Sequence, residues 1–448
     1  MPTVRLPDGP ATPPIAQSLE ILAGRTRTWR RMHARFGSAF TIHMPRFGRS
    51  VVLADPTEIK ALFTASTDIV DNIDANLGEF LGPGSLFALE GEQHRKQRKL
   101  LTPPFHGRRL TAYEALVEEE AVHEMASWPS GTEFSTMDSM MRITLNVILR
   151  AVFGAEGDEF KELRELLPKL VLVASALSAV SVPKRLFGRL GPWARFTSYR
   201  RRYDEIVDQL IDYATADERI EDRDDVLAMM LQARYDDGSP MSRSDIADEL
   251  LTLLTAGHET TATTLAWTIE RLRRHPEVLR RLVAEADAGG SELRAATLLE
   301  VQRVRPVIDF TVRKVLAESM QLGRWTLPKD QNVVVSIRLL HDNEELFPNA
   351  RTFDPDRFVG VRPGTFSWIP FGGGHRRCIG AAFATMEMNV VLRTLLRDFT
   401  LEPTDARDER THFRGIALVP AEKGRAVVHR RSALHPIPID DRTTEVTV

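Results

Sequence analysis

One uninterrupted helical pattern, from Ser242 to His275, limits the folds open to this chain more than any other feature. Apolar residues recur at Ile246, Leu250, Leu253, Leu254, Leu265, Ile269 and Leu272, Ser242 stands three residues ahead of Asp245 as in a capping box, and Pro276 closes the run. At roughly 1.5 Å per residue the helix is about 50 Å long, enough to cross a large domain. The 448 residues are sufficient to surround it. Other helical patterns dominate beyond Pro56, broken by the loop from Gly78 to Gly91, which contains Gly82-Pro83-Gly84. Phe40 to Met44 and Ser50 to Ala54 read as a strand pair turning near Gly48. After Pro306 come short strand-like runs such as Asn332 to Ile337, then one more helix from Ala381 to Phe399.

The fold class expected is therefore mainly α with a small β subdomain. No repeat or low-complexity linker divides the chain, so residues 1–430 are expected to form a single domain, with 431–448 as a C-terminal tail. Within the domain, residues 1–24 read as a Pro-rich N-terminal segment, extended at least from Met1 to Pro14, where five prolines fall. From Trp29 to Gly37 a basic helix ends at glycine. The five arginines between Arg25 and Arg35 are assigned to a solvated face and not to a membrane surface, because the whole chain is balanced at Lys+Arg 59 against Asp+Glu 62. That balance also argues against a nucleic-acid partner. No stretch approaches the ~18 unbroken apolar residues of a membrane span, so no transmembrane anchor and a cytoplasmic location are expected. Leu170 to Val182 is apolar but too short to span, and Pro183 closes it; it reads as a core helix or an apolar lid.

Cys378 is the only cysteine, which excludes intramolecular disulfides and every Cys-x-x-Cys site. It lies in Phe371-Gly-Gly-Gly-His-Arg-Arg-Cys-Ile-Gly380, directly ahead of a helix. The glycines allow a tight turn, the helix start offers free N–H groups, and Arg376 and Arg377 add positive charge. Those surroundings are expected to favour a thiolate, fit to be a nucleophile or a metal ligand.

Phe371, Gly374, Arg376, Cys378 and Gly380 match the pattern Phe-x-x-Gly-x-Arg-x-Cys-x-Gly, and by it the chain resembles the cytochrome P450 superfamily, of the soluble bacterial type, from about Leu6 to His429. The resemblance implies the cytochrome P450 fold, with haem b (iron protoporphyrin IX) between the long central helix and the cysteine-loop helix and with Cys378 as the iron ligand. Ala256-Gly257-His258-Glu259-Thr260 matches the family's proton-delivery motif. Glu259 and Thr260 are then the expected catalytic pair, while Ala256 and Gly257 leave space over a flat ring. The pattern His-Glu-x-x-His of zinc proteases fails here, since Ala262 holds the second histidine position.

By the same resemblance His94, Arg98, Arg313 and Arg376 would hold the haem propionates, and Glu300, Arg303 and Arg357 would form a structural triad. Arg95, Lys96 and Lys99, turned outward on the His94 helix, would make a positive patch for an acidic electron donor. Pocket walls are expected from Leu253, Val307, Ile308, Phe310 and Ala417, together with the Gly78 to Gly91 loop, the Leu170 to Val182 lid and Ile416 to Leu418. The activity implied is insertion of one oxygen atom from O2 into a small apolar organic substrate such as a lipid, steroid or terpenoid. One cysteine cannot hold an iron–sulfur cluster and no Gly-x-Gly-x-x-Gly is present, so electrons would come from a separate ferredoxin or flavodoxin with its NAD(P)H reductase. A peroxide-using haem-thiolate enzyme, an isomerase on the same fold and a non-catalytic haem sensor are the alternatives. One departure from the family pattern is Arg324, which stands where a second glycine is common in Leu322-Gly-Arg-Trp325.

Overall fold

The computed structural model describes residues 4–431 apart from 74–76, 108, 155–157, 180–190 and 415–416. Ser242 is the N-cap, its Oγ accepting from the Asp245 N–H at 3.1 Å, and the helix runs from Arg243 to Arg274 over 32 residues. A cap of this kind contributes ~1 kcal/mol. Burial contributes far more, since residues around most of the helix circumference are covered, as befits a core helix. It lies along the helix Thr136–Phe153 and also contacts Pro192–Ala216, Glu292–Val304 and Ala381–Asp398. This helix is the axis around which the site is built.

The expected strand pair is Ala39–Met44 with Gly48–Leu53, in register Ala39↔Leu53. Asn332–Ser336 adds to it in parallel, then Phe310–Val315 and the short strand Val70–Asp71 add antiparallel. Alternation decides which side chains meet: Val51, Leu53, Val333 and Val335 pack against Ile59, Leu62 and Phe63, while Phe40, Ile42, Val52 and Val334 pack against Trp29 and Met32. Both faces are covered, so these strands read as nearly continuous apolar runs. The turn Gly323-Arg324 joins Ser319–Leu322 to Trp325–Pro328 without disturbance, and the Arg324 guanidinium lies 4.4 Å from the Trp325 ring centroid.

The N-terminal segment is only partly extended. Arg5 pairs with Thr326, but a helix begins at Pro14 and continues to Phe36, with a break at Gly24. Proline suits the first helical turn because the N–H it lacks would have no partner there. Gln17 pins this helix: its Nε2 donates to the Thr12 carbonyl at 2.6 Å and its Oε1 accepts from the His43 N–H at 2.7 Å. Of the basic cluster, Arg25 pairs with Asp309, Arg30 with Asp342 and Arg31 with Glu20, so these charges are answered within the protein. The apolar run at Leu170 belongs to a longer helix, Asp158–Ala179, with Pro168 inside it. Leu170 and Leu177 face the core while Leu172 is 61% exposed, which joins the core-helix and lid readings in one element. Pro183, Ile416 and residues 432–448 lie outside the described residues. Among the described residues no helix is long and apolar enough to cross a membrane.

Candidate functional site

The cysteine loop is pressed onto the helix Pro56–Thr64. Gly372 and Gly374 take left-handed φ of 67° and 68°. A Cβ on Gly373 would lie 2.2 Å from the Phe63 ring, and one on Gly374 would lie 2.3 Å from the Phe63 carbonyl oxygen. The Cys378 N–H closes the loop on the Phe371 carbonyl at 3.0 Å, and the helix Ala381–Asp398 follows. Cys378 keeps accessible surface, yet protein surrounds it closely enough to desolvate the thiol. The two facts together describe an opening into a cleft.

Two opposed effects act on that sulfur. Burial pushes the Cys378 thiol above its ordinary pKa, and the Gly380 N–H, Arg98 and Arg377 offset this only in part. Neighbouring cations are legible in a sequence, whereas desolvation is not. A thiolate at this position therefore calls for a cation in direct contact, as a coordinated metal provides.

The helix Gly91–Leu101 brings Arg98 within electrostatic range of Cys378, Arg376 and Arg377. Arg98 is half-buried, and its side chain has no hydrogen-bond or ion-pair partner among the described residues. Such a cation fits an anionic ligand group. His94 is buried with its ring centroid 6.1 Å from that of His375; burial first, then Arg376, lowers its pKa to about 3, so it is neutral at pH 7. Arg313 is buried, donating to Thr311 Oγ1 at 2.9 Å and to the Val312 carbonyl at 2.8 Å; burial lowers its pKa to about 10.

Arg376 is already engaged. Its Nε and Nη2 donate to Asp71 Oδ1 at 3.0 and 2.8 Å, while Nη1 and Nη2 donate to the carbonyls of Leu86 at 2.9 Å and Leu89 at 2.6 Å. Of the three arginines expected at the propionates, Arg98 is the one whose side chain has no partner among the described residues. The outward patch is likewise weaker than expected: Lys99 pairs with Asp236 at 2.7 Å and Arg95 with Glu92 at 2.5 Å.

Midway along the central helix, Thr255, Ala256, Gly257 and Thr260 retain accessible surface between buried flanks. The Thr260 hydroxyl donates to the Ala256 carbonyl at 2.9 Å. Glu259 is buried, with Oε1 3.3 Å from Arg414 Nε on the strand Thr411–Arg414; burial raises its pKa and Arg414 lowers it, burial prevailing. His258 is held by the Leu254 carbonyl at 2.8 Å. Gly257 also lies against a neighbouring helix. A Cβ there would lie 3.3 Å from the Ile148 side chain, so glycine serves close packing on the helix Thr136–Phe153.

Glu300, Arg303 and Arg357 do converge. Arg303 grips Glu300 with two hydrogen bonds of 2.7 Å and also donates to the carbonyls of His341, Ala350 and Thr352; Arg357 Nε reaches Glu300 Oε1 at 3.2 Å. Of the pocket residues, Leu253, Val307, Ile308 and Ala417 belong to one apolar cluster, and Leu418 N–H bonds to the Val307 carbonyl at 2.8 Å. Phe310 is turned elsewhere. Its ring packs edge-on to Trp29 and Phe47, under the Arg25 guanidinium, because the alternation of its strand points it to the N-terminal helix. Asp71, Arg414 and the buried Glu387 carry no local sequence signal that would single them out.

The cytochrome P450 family model matches residues 7–427. The chain belongs to the cytochrome P450 family. Mycobacterium tuberculosis and Mycobacterium bovis each have a protein named as cytochrome P450 138 that is 53% identical over 430 residues, covering 96% of this chain and 98% of the relative. A second Mycobacterium tuberculosis relative, named as cytochrome P450 135B1, is 38% identical over 93% of this chain and 89% of its own length. The solved structure described as retinoic acid bound cyanobacterial CYP120A1 superposes with a TM-score of 0.83 at 22% identity, covering 96% of this chain and all of that one, a likeness of fold. This cytochrome P450 is accordingly a haem-thiolate monooxygenase.

Proposed function

We propose that Cys378 is the axial ligand of haem b and that the enzyme oxygenates a small apolar substrate with electrons from a ferredoxin or flavodoxin and its reductase. The observation that carries this reading is the single thiol opening into a cleft, with a Gly380 N–H on its sulfur and the unpartnered Arg98 beside it. When bound, the haem supplies dioxygen binding and reductive cleavage, which thiolate ligation favours. Arg98 and Arg313 would hold its propionates, and the Gly380 N–H would temper charge on the sulfur.

The chain's own contribution on the opposite side is proton handling. Ala256 and Thr260 form a narrow polar interruption in a buried helix, with the Thr260 hydroxyl held by the Ala256 carbonyl and its lone pairs free to accept. Glu259, with its pKa raised by burial, can hold a proton behind Thr260, and the partly exposed Arg414 connects it towards solvent. Leu253, Val307 and Ile308 supply the apolar wall that favours an apolar substrate. The test is turnover with a ferredoxin and its reductase over a panel of lipids, steroids and terpenoids, preselected by substrate-induced change in the haem spectrum. Hydroxylated product is expected, and reduction of the haem without product from any panel member would favour a sensor instead.

A further inference from the structure

Asp71 is fully buried on the edge strand Val70–Asp71, and its carboxylate joins three segments distant in sequence. Oδ1 accepts from His375 Nε2 at 3.0 Å and from Arg376 Nε and Nη2 at 3.0 and 2.8 Å, while Oδ2 accepts from the Gly91 N–H at 2.8 Å. Gly91 opens the helix that carries His94 and Arg98, and His375 and Arg376 belong to the cysteine loop. Through Arg376 the carbonyls of Leu86 and Leu89 are tied in as well. A buried carboxylate is tolerated only when charge and hydrogen bonds both answer it, and here four donors do so. The reverse also holds: the Arg376 side chain is 9% exposed, and among the described residues its one carboxylate partner is Asp71.

We propose that Asp71 is a positioning residue that neutralises Arg376 beside the haem and thereby sets the haem reduction potential. This rests on the reading that Cys378 holds haem. Reduction adds one electron to the cofactor, so an unanswered cation two residues from its ligand would favour the reduced form. Asp71 cancels that cation while fixing the cysteine loop to the Arg98 helix. Arg98 and Arg313, for which no carboxylate partner is found among the described residues, are left as positive charges to meet the cofactor.

The experiment is a potentiometric titration of the haem-loaded protein and of Asp71→Asn, Arg376→Gln and the double variant. Asp71→Asn leaves Arg376 unanswered and is expected to favour reduction on the order of tenfold, a rise of ~59 mV for one electron. Arg376→Gln leaves Asp71 unanswered and is expected to lower the potential by a similar factor. The double variant, neutral again, is expected to return towards wild type, which a purely structural role would not produce. Unchanged potentials in both single variants, or a double variant displaced further than either, would overturn the proposal. Where Asp71→Asn does not fold, Arg376→Gln decides alone: a lowered potential supports the proposal and an unchanged one overturns it. Wild-type protein without a thiolate-type haem spectrum would instead overturn the reading of Cys378.

Discussion

Replacing Glu300 by glutamine tests whether the buried triad is a structural keystone. Glu300 is 0% exposed and accepts from Arg303 twice at 2.7 Å, from Arg357 at 3.2 Å and from the Asp354 N–H at 2.9 Å. The amide is isosteric, but it removes the only negative charge that faces Arg303 among the described residues, a guanidinium 1% exposed whose other partners are carbonyls. Breaking a buried pair from one side costs about 3–5 kcal/mol. With ~2.1 cal/mol/K of unfolding entropy per residue over the whole chain, about 1 kcal/mol corresponds to roughly 1 °C, so the melting temperature should fall by about 3–5 °C. Differential scanning calorimetry beside Glu277→Gln gives the comparison, because the Glu277–Arg280 pair is exposed and such pairs contribute little. A Glu300→Gln protein melting no lower than Glu277→Gln would refute the reasoning.

Thr260→Ala should keep substrate affinity and haem reduction while product per electron falls by about 10²-fold or less, water replacing the hydroxyl in part; unchanged coupling of electrons to product would remove Thr260 from proton delivery. Gly257→Ala gains about 1 kcal/mol of helix propensity but crowds Ile148, so in denaturant titrations the substitution should be more favourable in an Ile148→Val background than in wild type, and equal effects in the two backgrounds would contradict the contact. His341 and His258 are fully buried and their pKa values are lowered from 6.5 to about 3 and about 4, by burial first in both cases. Below pH 6.5 the unfolded imidazoles bind protons that the folded ones refuse, so this contribution to stability is present at neutral pH and is lost as pH falls from 6.5 towards 4. Melting temperatures across that window should decline less steeply in His258→Phe than in wild type, and parallel profiles would contradict the assignment.

What was legible in the sequence was local. Ser242 and Asp245 are three residues apart, as are Glu300 and Arg303, and the cysteine loop fits within ten residues, so spacing alone brought each set together. The β portion was legible as strands but not as a sheet, because Gly48–Leu53 pairs in parallel with Asn332–Ser336 across the length of the chain. Asp71 meets His375 and Arg376 some three hundred positions away, and Arg414 meets Glu259 from a late hairpin; neither has a periodic or motif signal. Phe310 faces away from the expected pocket for a related reason. Which face a residue presents is decided by the neighbour, here Trp29. Arg377 near the thiol is visible in the sequence, whereas the desolvation that opposes it is not.

The measurement that bears most directly on the central claim is the absorption spectrum of the reduced carbon monoxide complex, for wild type and for Cys378→His. Wild type should show the band characteristic of thiolate-ligated haem, and Cys378→His should lose that band even where it still retains haem. A wild-type spectrum without it, or a thiolate-type band that survives the substitution of the chain's only cysteine, would contradict the assignment of Cys378 as the iron ligand.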